Sequence, residues 1–267
     1  MSHELDVLPV LGDPSKPIYR DTHENILSPP FRMALIGASK SGKTNLLMNY
    51  LRPCYYGGDK KKGIKNCFDR IIVFSPNLGM DSTSRALHHL CDPQDIHMTY
   101  NDRILDDLLE QQKSVDSEVR DKVLLILDDL IAMGCSPTCN AFVGLSHYRH
   151  SDISVCLLSQ TYRGRFSLPP IARNNIDGLV MFRSPSAHQV NSLCEDLSGT
   201  FGTKDNVYNL LSYTTKKPYN FCFFNYRDLS VFHNHTKKIW EKYTPEGEFS
   251  EEFVIPKNDE TIESVEK

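Results

Sequence analysis

The chain has no apolar run long enough to span a bilayer, and its first residues lack the basic, apolar and small-residue succession of a secretory signal. It also lacks charge of one sign. The formal net charge is -4 over 267 residues, so nothing in the overall balance points to nucleic acid or an anionic membrane, and any such contact must come from local patches. No internal repeat is visible. Cysteine is present but unorganised: Cys54, Cys67, Cys91, Cys135, Cys139, Cys156, Cys194 and Cys222 are spread through the chain, and a reducing, intracellular setting is the simplest reading. Cys135 and Cys139 with His147 and His150 fit no common zinc-finger spacing.

What is present is an alternation. Short runs of Ile, Val, Leu and Phe at Arg32 to Ile36, Arg70 to Ser75, Val123 to Leu127, Ile153 to Ser159, Gly178 to Phe182 and Asn220 to Phe224 read as strands. Helical stretches are expected at Lys43 to Leu51, Ser82 to Leu90, Asn101 to Glu110, Thr138 to Tyr148 and Ser186 to Leu197. The strand runs are continuously apolar, as strands covered on both faces are. The expectation is one α/β domain with a mostly parallel central sheet flanked by helices, over residues 29–244. Residues 1–28 read as an amino-terminal arm. Residues 245–267, with eight acidic residues against two lysines, read as a flexible acidic tail.

Residues Gly37 to Thr44, Gly-Ala-Ser-Lys-Ser-Gly-Lys-Thr, fit the phosphate-binding pattern G-x-x-x-x-G-K-T and fall between an apolar strand and an apolar-periodic helix. There Gly37 and Gly42 let the backbone wrap tightly, so that the N–H groups from Ala38, Ser39, Lys40 and Ser41 onward face phosphate oxygens, with the positive helix end behind them. Lys43 would reach the β- and γ-phosphates of ATP, and the Thr44 hydroxyl would hold Mg2+. A second site follows at "VLLILDD": Asp128, at the carboxyl end of a buried strand, suits the magnesium ion, and Asp129 the attacking water. The third is "VCLLSQTYRGR", where Gln160 ends another apolar strand and could sense the γ-phosphate. About 90 residues separate Gly37 from Asp128, which leaves room for a strand between the loop strand and the acidic strand; at least the strand Arg70 to Ser75 lies in that interval. This spacing suits an ATPase motor core better than a small kinase. Phe31 and the aromatic stretch Tyr219 to Phe224 are the candidate stacking faces for adenine, although such residues are more often core.

Four ordered blocks, "PPFRMALIGASKSGKTNLL", "VLLILDDL", "YRHSDISVCLLSQTYR" and "ARNNIDGLVMFRSPSAHQV", resemble the poxvirus-type genome-packaging ATPases of large DNA viruses and virophages, a branch of the FtsK/HerA superfamily of P-loop motors. The resemblance covers residues 29–200. It implies a RecA/FtsK-like P-loop NTPase of the kind with an added catalytic acid. It also implies a hexameric or pentameric ring that hydrolyses ATP at subunit interfaces and drives double-stranded DNA into a preformed capsid, with a capsid or portal-vertex partner. Such a protein would work in the host cell interior and the virion. Carried over by position, Lys43 and Thr44 are the loop pair, Asp128 the magnesium acid, Asp129 the water-activating acid and Gln160 the sensor. Arg149 is the arginine offered to a neighbouring subunit, with Arg163 as runner-up. The superfamily generally has Glu where this chain has Asp129, so the carboxylate must come closer to the water by about one methylene. DNA-contact candidates are Lys60, Lys61, Lys62 and Lys65, then Arg163, Arg165, Lys216 and Lys217. Two other classes compete: an ATP-binding switch or capsid scaffold without turnover, and a helicase or conjugation-type pump.

Overall fold

Short apolar-rich runs become the strands of the molecule. The computed structural model describes residues 25–52, 56–57, 66–79, 82–164 and 167–242. Six strands run parallel: β1 (Arg32–Ile36), β2 (Arg70–Phe74), β3 (Ile96–His97), β4 (Val123–Asp128), β5 (Ile153–Ser159) and β6 (Gly178–Phe182). Antiparallel β7 (Phe221–Asn225), β8 (Ser230–His233) and β9 (Lys237–Glu241) extend the sheet past β6, in the order β3-β2-β4-β5-β1-β6-β7-β8-β9.

Alternation along the central strands divides the core in two. β1 sends Ala34 and Ile36 to one face and Met33 and Leu35 to the other. The Met33 face is covered by α1 (Lys43–Tyr50) and α2 (Ser82–His88), through Leu46, Leu47, Tyr50 and Leu87. Each such buried side chain contributes roughly 1.5–3 kcal/mol of transfer free energy. The opposite face is covered by α3 (Asp102–Ser114), α4 (Asn140–Val143), α5 (Leu145–Tyr148), α6 (Pro170–Arg173), α7 (Ala187–Leu197) and α8 (Lys204–Thr214). Caps set three helix starts: the side chains of Asn101, Ser186 and Thr203 accept from the backbone N–H of Arg103, Gln189 and Asn206.

Several expectations are corrected. The helix expected from Thr138 to Tyr148 is two four-residue helices broken at Gly144. The Tyr148 ring folds back to donate its hydroxyl to the Asn140 carbonyl, 2.9 Å away, and lies where a side chain on residue 144 would go. The strand inserted between the loop strand and the acidic strand is β5, which follows both in sequence, whereas β2 lies on the far side of β4. β3, β8, β9, α6 and α8 were not anticipated. Ile26 and Leu27, assigned to the arm, are buried in the second core. Lys60, Lys61, Lys62, Lys65, Arg165 and the tail 245–267 lie outside the described residues.

The amino ends of β1 and β6 are joined by charge. Arg32 donates to both carboxylate oxygens of Asp177, Nε at 3.1 Å and a terminal nitrogen at 2.8 Å, and its backbone N–H adds a bond of 2.8 Å. Arg227 approaches the same carboxylate at 3.5 Å and donates to the carbonyls of Ser28 and Pro30. Burial by itself raises the Asp177 pKa, but the hydrogen bonds and charge of Arg32, with Arg227, outweigh it and hold the carboxyl below the ordinary aspartate value. Asp177→Ala leaves Arg32 largely buried without its partner and should cost about 3 kcal/mol in urea unfolding at neutral pH. The wild-type pair contributes fully above the unfolded pKa of about 3.9 and is lost as pH falls through the lower folded value, so the gap between the two proteins should narrow in acid.

Candidate nucleotide site at the carboxyl edge of the sheet

Because β1, β2, β4 and β5 are parallel, the residues that follow them emerge on one edge. Register does the rest. Ile36 pairs with Ser159 and Asp128 with Leu158, and the ladder continues one step past the strands: Gly37 N–H donates to the Ser159 carbonyl and Asp129 N–H to the Leu158 carbonyl, both at 3.1 Å. The Gly37–Thr44 loop, Asp128, Asp129 and Gln160 are thereby brought together around a cleft of about 430 Å3, with Ser75 and Asn77 on its far wall.

The loop leaves β1 through Gly37, where a Cβ would stand 2.5 Å from Ser41 Oγ and 2.8 Å from Phe182 Cβ. Lys40 and Gly42 have φ of 64° and 107°, and this left-handed backbone turns the chain into α1, with Gly42 as its cap. Lys43 is buried, and its ammonium folds back to donate to the carbonyls of Gly37 at 2.5 Å and Ala38 at 3.1 Å. Burial lowers its pKa, against the raising influence of the Asp129 and Asp128 carboxylates. Among the described residues Ser41 Oγ is buried with no hydrogen-bond partner, and Thr44 and Asp128 both line the cleft. An unpartnered hydroxyl, a displaced ammonium and a hydroxyl opposite a carboxylate fit a polyphosphate with a divalent cation.

Two contacts were missed from sequence. Ser75, which follows β2, donates to Asp128 Oδ2 at 2.8 Å. It is the polar residue ending an apolar run, the signal by which Asp128 and Gln160 were found. Gln160 Nε2 donates to Asp129 Oδ2 at 2.9 Å, so the acid candidate and the sensor candidate touch. Asp129 has φ of 47°, a conformation that Asp tolerates better than most residues.

The two arginine candidates lie apart from this cleft. Arg149 sits in the turn before β5, at the opposite edge of the sheet and on the order of 20 Å from Gln160 along the strand. It is exposed and, among the described residues, forms no ion pair. Arg163 follows β5 but is bound to Asp196 of α7, with Nε at 3.2 Å from Oδ2, while Gln189 of the same helix accepts from the backbone N–H groups of Tyr162 and Arg163. Of the aromatic candidates, Phe31 and Phe221 to Phe224 are core, and Tyr219 alone is exposed. Cys135 and Cys139 are buried, whereas His147 and His150 are on the surface. No helix of the described residues is long and apolar enough to cross a membrane.

The strand order, with β5 between the loop strand and the acidic strand, and the glycine loop after β1 define a P-loop NTPase. The chain belongs to the Poxvirus A32 protein family, whose model matches residues 19–239 and so begins inside the segment read as an arm. No curated protein matches the sequence. Among solved structures the chain is similar to the genome packaging NTPase B204 from Sulfolobus turreted icosahedral virus 2. In complex with sulfate, that protein is 20% identical with a TM-score of 0.53, over 80% of this chain and 100% of that one. In complex with AMPPCP, it is 18% identical with a TM-score of 0.52, over 78% and 98%.

Gly37→Ala tests whether the loop tolerates a side chain. The clash with Phe182 Cβ cannot be relieved by rotating a flexible end, so the variant should lose about 1–3 kcal/mol in thermal unfolding. It should also bind a fluorescent ATP analogue more weakly than wild type.

Proposed function

We propose that this chain is an ATP-hydrolysing motor that moves double-stranded DNA into a preformed viral capsid, working as a ring with sites at subunit boundaries. The observation that carries the proposal is the meeting of the Gly37–Thr44 loop, Asp128, Asp129 and Gln160 on one sheet edge in a member of this family. ATP is the nucleotide favoured, because the related B204 structures hold ATP analogues.

The chemistry follows from the groups at hand. The loop N–H groups and Lys43 bind the β- and γ-phosphates, with Lys43 exchanging the carbonyls of Gly37 and Ala38 for phosphate oxygens. Thr44 and Asp128 would hold Mg2+, which would supply positive charge to offset the negative charge of the phosphates. Ser75 fixes the orientation of Asp128. Asp129 positions a water and accepts its proton as the water oxygen bonds to the γ-phosphorus and the bond to the β–γ bridging oxygen breaks, giving ADP and phosphate. Gln160, which holds Asp129 through one hydrogen bond, can exchange that partner for the γ-phosphate and so couple its presence to the loop that follows, Thr161 to Gly164. Arg149, remote from its own cleft, exposed, without an ion pair among the described residues and bonded through Nε to the adjacent His150 at 3.3 Å, is suited to complete the site of a neighbouring subunit. Arg163, tied to Asp196, is less suited. Lys216 and Lys217 are exposed and suit contacts with a DNA backbone.

The test is ATPase activity against protein concentration, with and without linear double-stranded DNA. Activity should rise with both. Lys43→Ala should lower turnover about 100-fold or more and Arg149→Ala about 1,000-fold, and mixing the two variants should restore part of it. Binding of ATP without turnover under all these conditions would favour the switch or scaffold reading. Ser75→Ala should raise the magnesium concentration needed for half-maximal turnover about tenfold, leaving the activity recoverable with excess metal.

A further inference from the structure

A nucleotide has two ends, and the strand order dictates which way each must point. Ser75, Asp128, Asp129 and Gln160 follow or end β2, β4 and β5, all on one flank of β1. The reactive phosphate must face them, so the nucleoside leaves the loop toward the other flank, where β6 is the neighbour.

On that flank one aromatic ring is out of place for a core residue. Tyr219 is 73% exposed, and its ring edge comes to 3.5 Å from where a Cβ on Gly42 would stand, the same approach that Phe182 makes from the end of β6. Its φ of 65° is one that bulky residues seldom adopt. It follows Pro218 in a turn closed by Asn220 N–H donating to the Lys217 carbonyl at 3.3 Å. Behind Phe182 opens a cleft of about 350 Å3 lined by Arg183, Ser184, Tyr208, Thr215 and Lys216 among others. Arg183 has no hydrogen-bond or ion-pair partner among the described residues.

We propose that Tyr219 is the platform on which the base of the bound nucleotide stacks, with the ribose passing over Gly42 and the polar edge of the base turned toward Arg183 and Thr215. This rests on the reading of the Gly37–Thr44 loop as a polyphosphate site. A planar ring fixed beside the loop offers a π-face to any base and overlaps a purine most. The base platform is thus built by the antiparallel extension, since Tyr219 belongs to the segment that leads into β7.

Calorimetric titration with two probes separates the base from the phosphates: AMPPCP with magnesium, and inorganic tripolyphosphate. Tyr219→Ala should weaken AMPPCP about tenfold and leave tripolyphosphate unchanged, while Tyr219→Phe keeps wild-type affinity for both. Unchanged AMPPCP binding in Tyr219→Ala would overturn the proposal, as would equal weakening of both probes, which would mean that the ring only shapes the loop. If wild type binds neither probe, the polyphosphate site itself fails, and the platform with it.

Discussion

The hydrogen bonds on the two flanks of β5 determine where the reactive groups stand. That strand is paired along its length to β1 on one side and β4 on the other, and both ladders run on into the residues after the strands, through Gly37 N–H to Ser159 O and Asp129 N–H to Leu158 O. A slip of one residue in either register would turn the interior of β5 to the wrong face and carry Asp128 or the loop away from the cleft. With every residue from Ile153 to Ser159 buried, such a slip would misfit side chains against the packed layers on both faces, and that packing cost protects the geometry of the polar edge. The Arg32–Asp177 pair performs the same service for β1 and β6 at the other end of the sheet.

Electrostatically, the cleft is a balance of opposite charges held close. The Lys43 ammonium is buried, bonded to two carbonyls of its own loop, and near the carboxylates of Asp128 and Asp129. Ser75 and Gln160 each take one carboxylate oxygen. Binding a polyphosphate would then exchange existing partners for new ones instead of drawing the ammonium out of water, and exchange is the less costly path because the desolvation has already occurred in folding.

The central strands were legible because short, apolar-rich runs of strand length, most of them followed by a polar residue, have few other interpretations. The glycine loop and Asp128 were legible for a related reason, since their chemistry resides in consecutive residues. What escaped was everything decided by tertiary contact. Ser75 acquires its partner only because β2 lies beside β4, and no sequence spacing announces that adjacency. The helix is interrupted at Gly144, where the Tyr148 ring packs close against the backbone, a contact between neighbours that periodicity does not register. β8 is only four residues long and β9 opens on the exposed Lys237 and Lys238, so their strand character depends on the hairpin pairing that extends from β7. The resemblance ranked Arg149 ahead of Arg163, but nothing in the sequence announced that Arg163 is tied to Asp196 of α7.

β5 also has something different at each of its ends. Arg149 lies just before it, exposed, and Gln160 just after it, against the catalytic acid candidate. A strand hydrogen-bonded on both flanks has little freedom to slide alone. In the ring proposed above it would therefore act as a tappet, a contact at its first residue being felt at its last, with no flexible hinge between them.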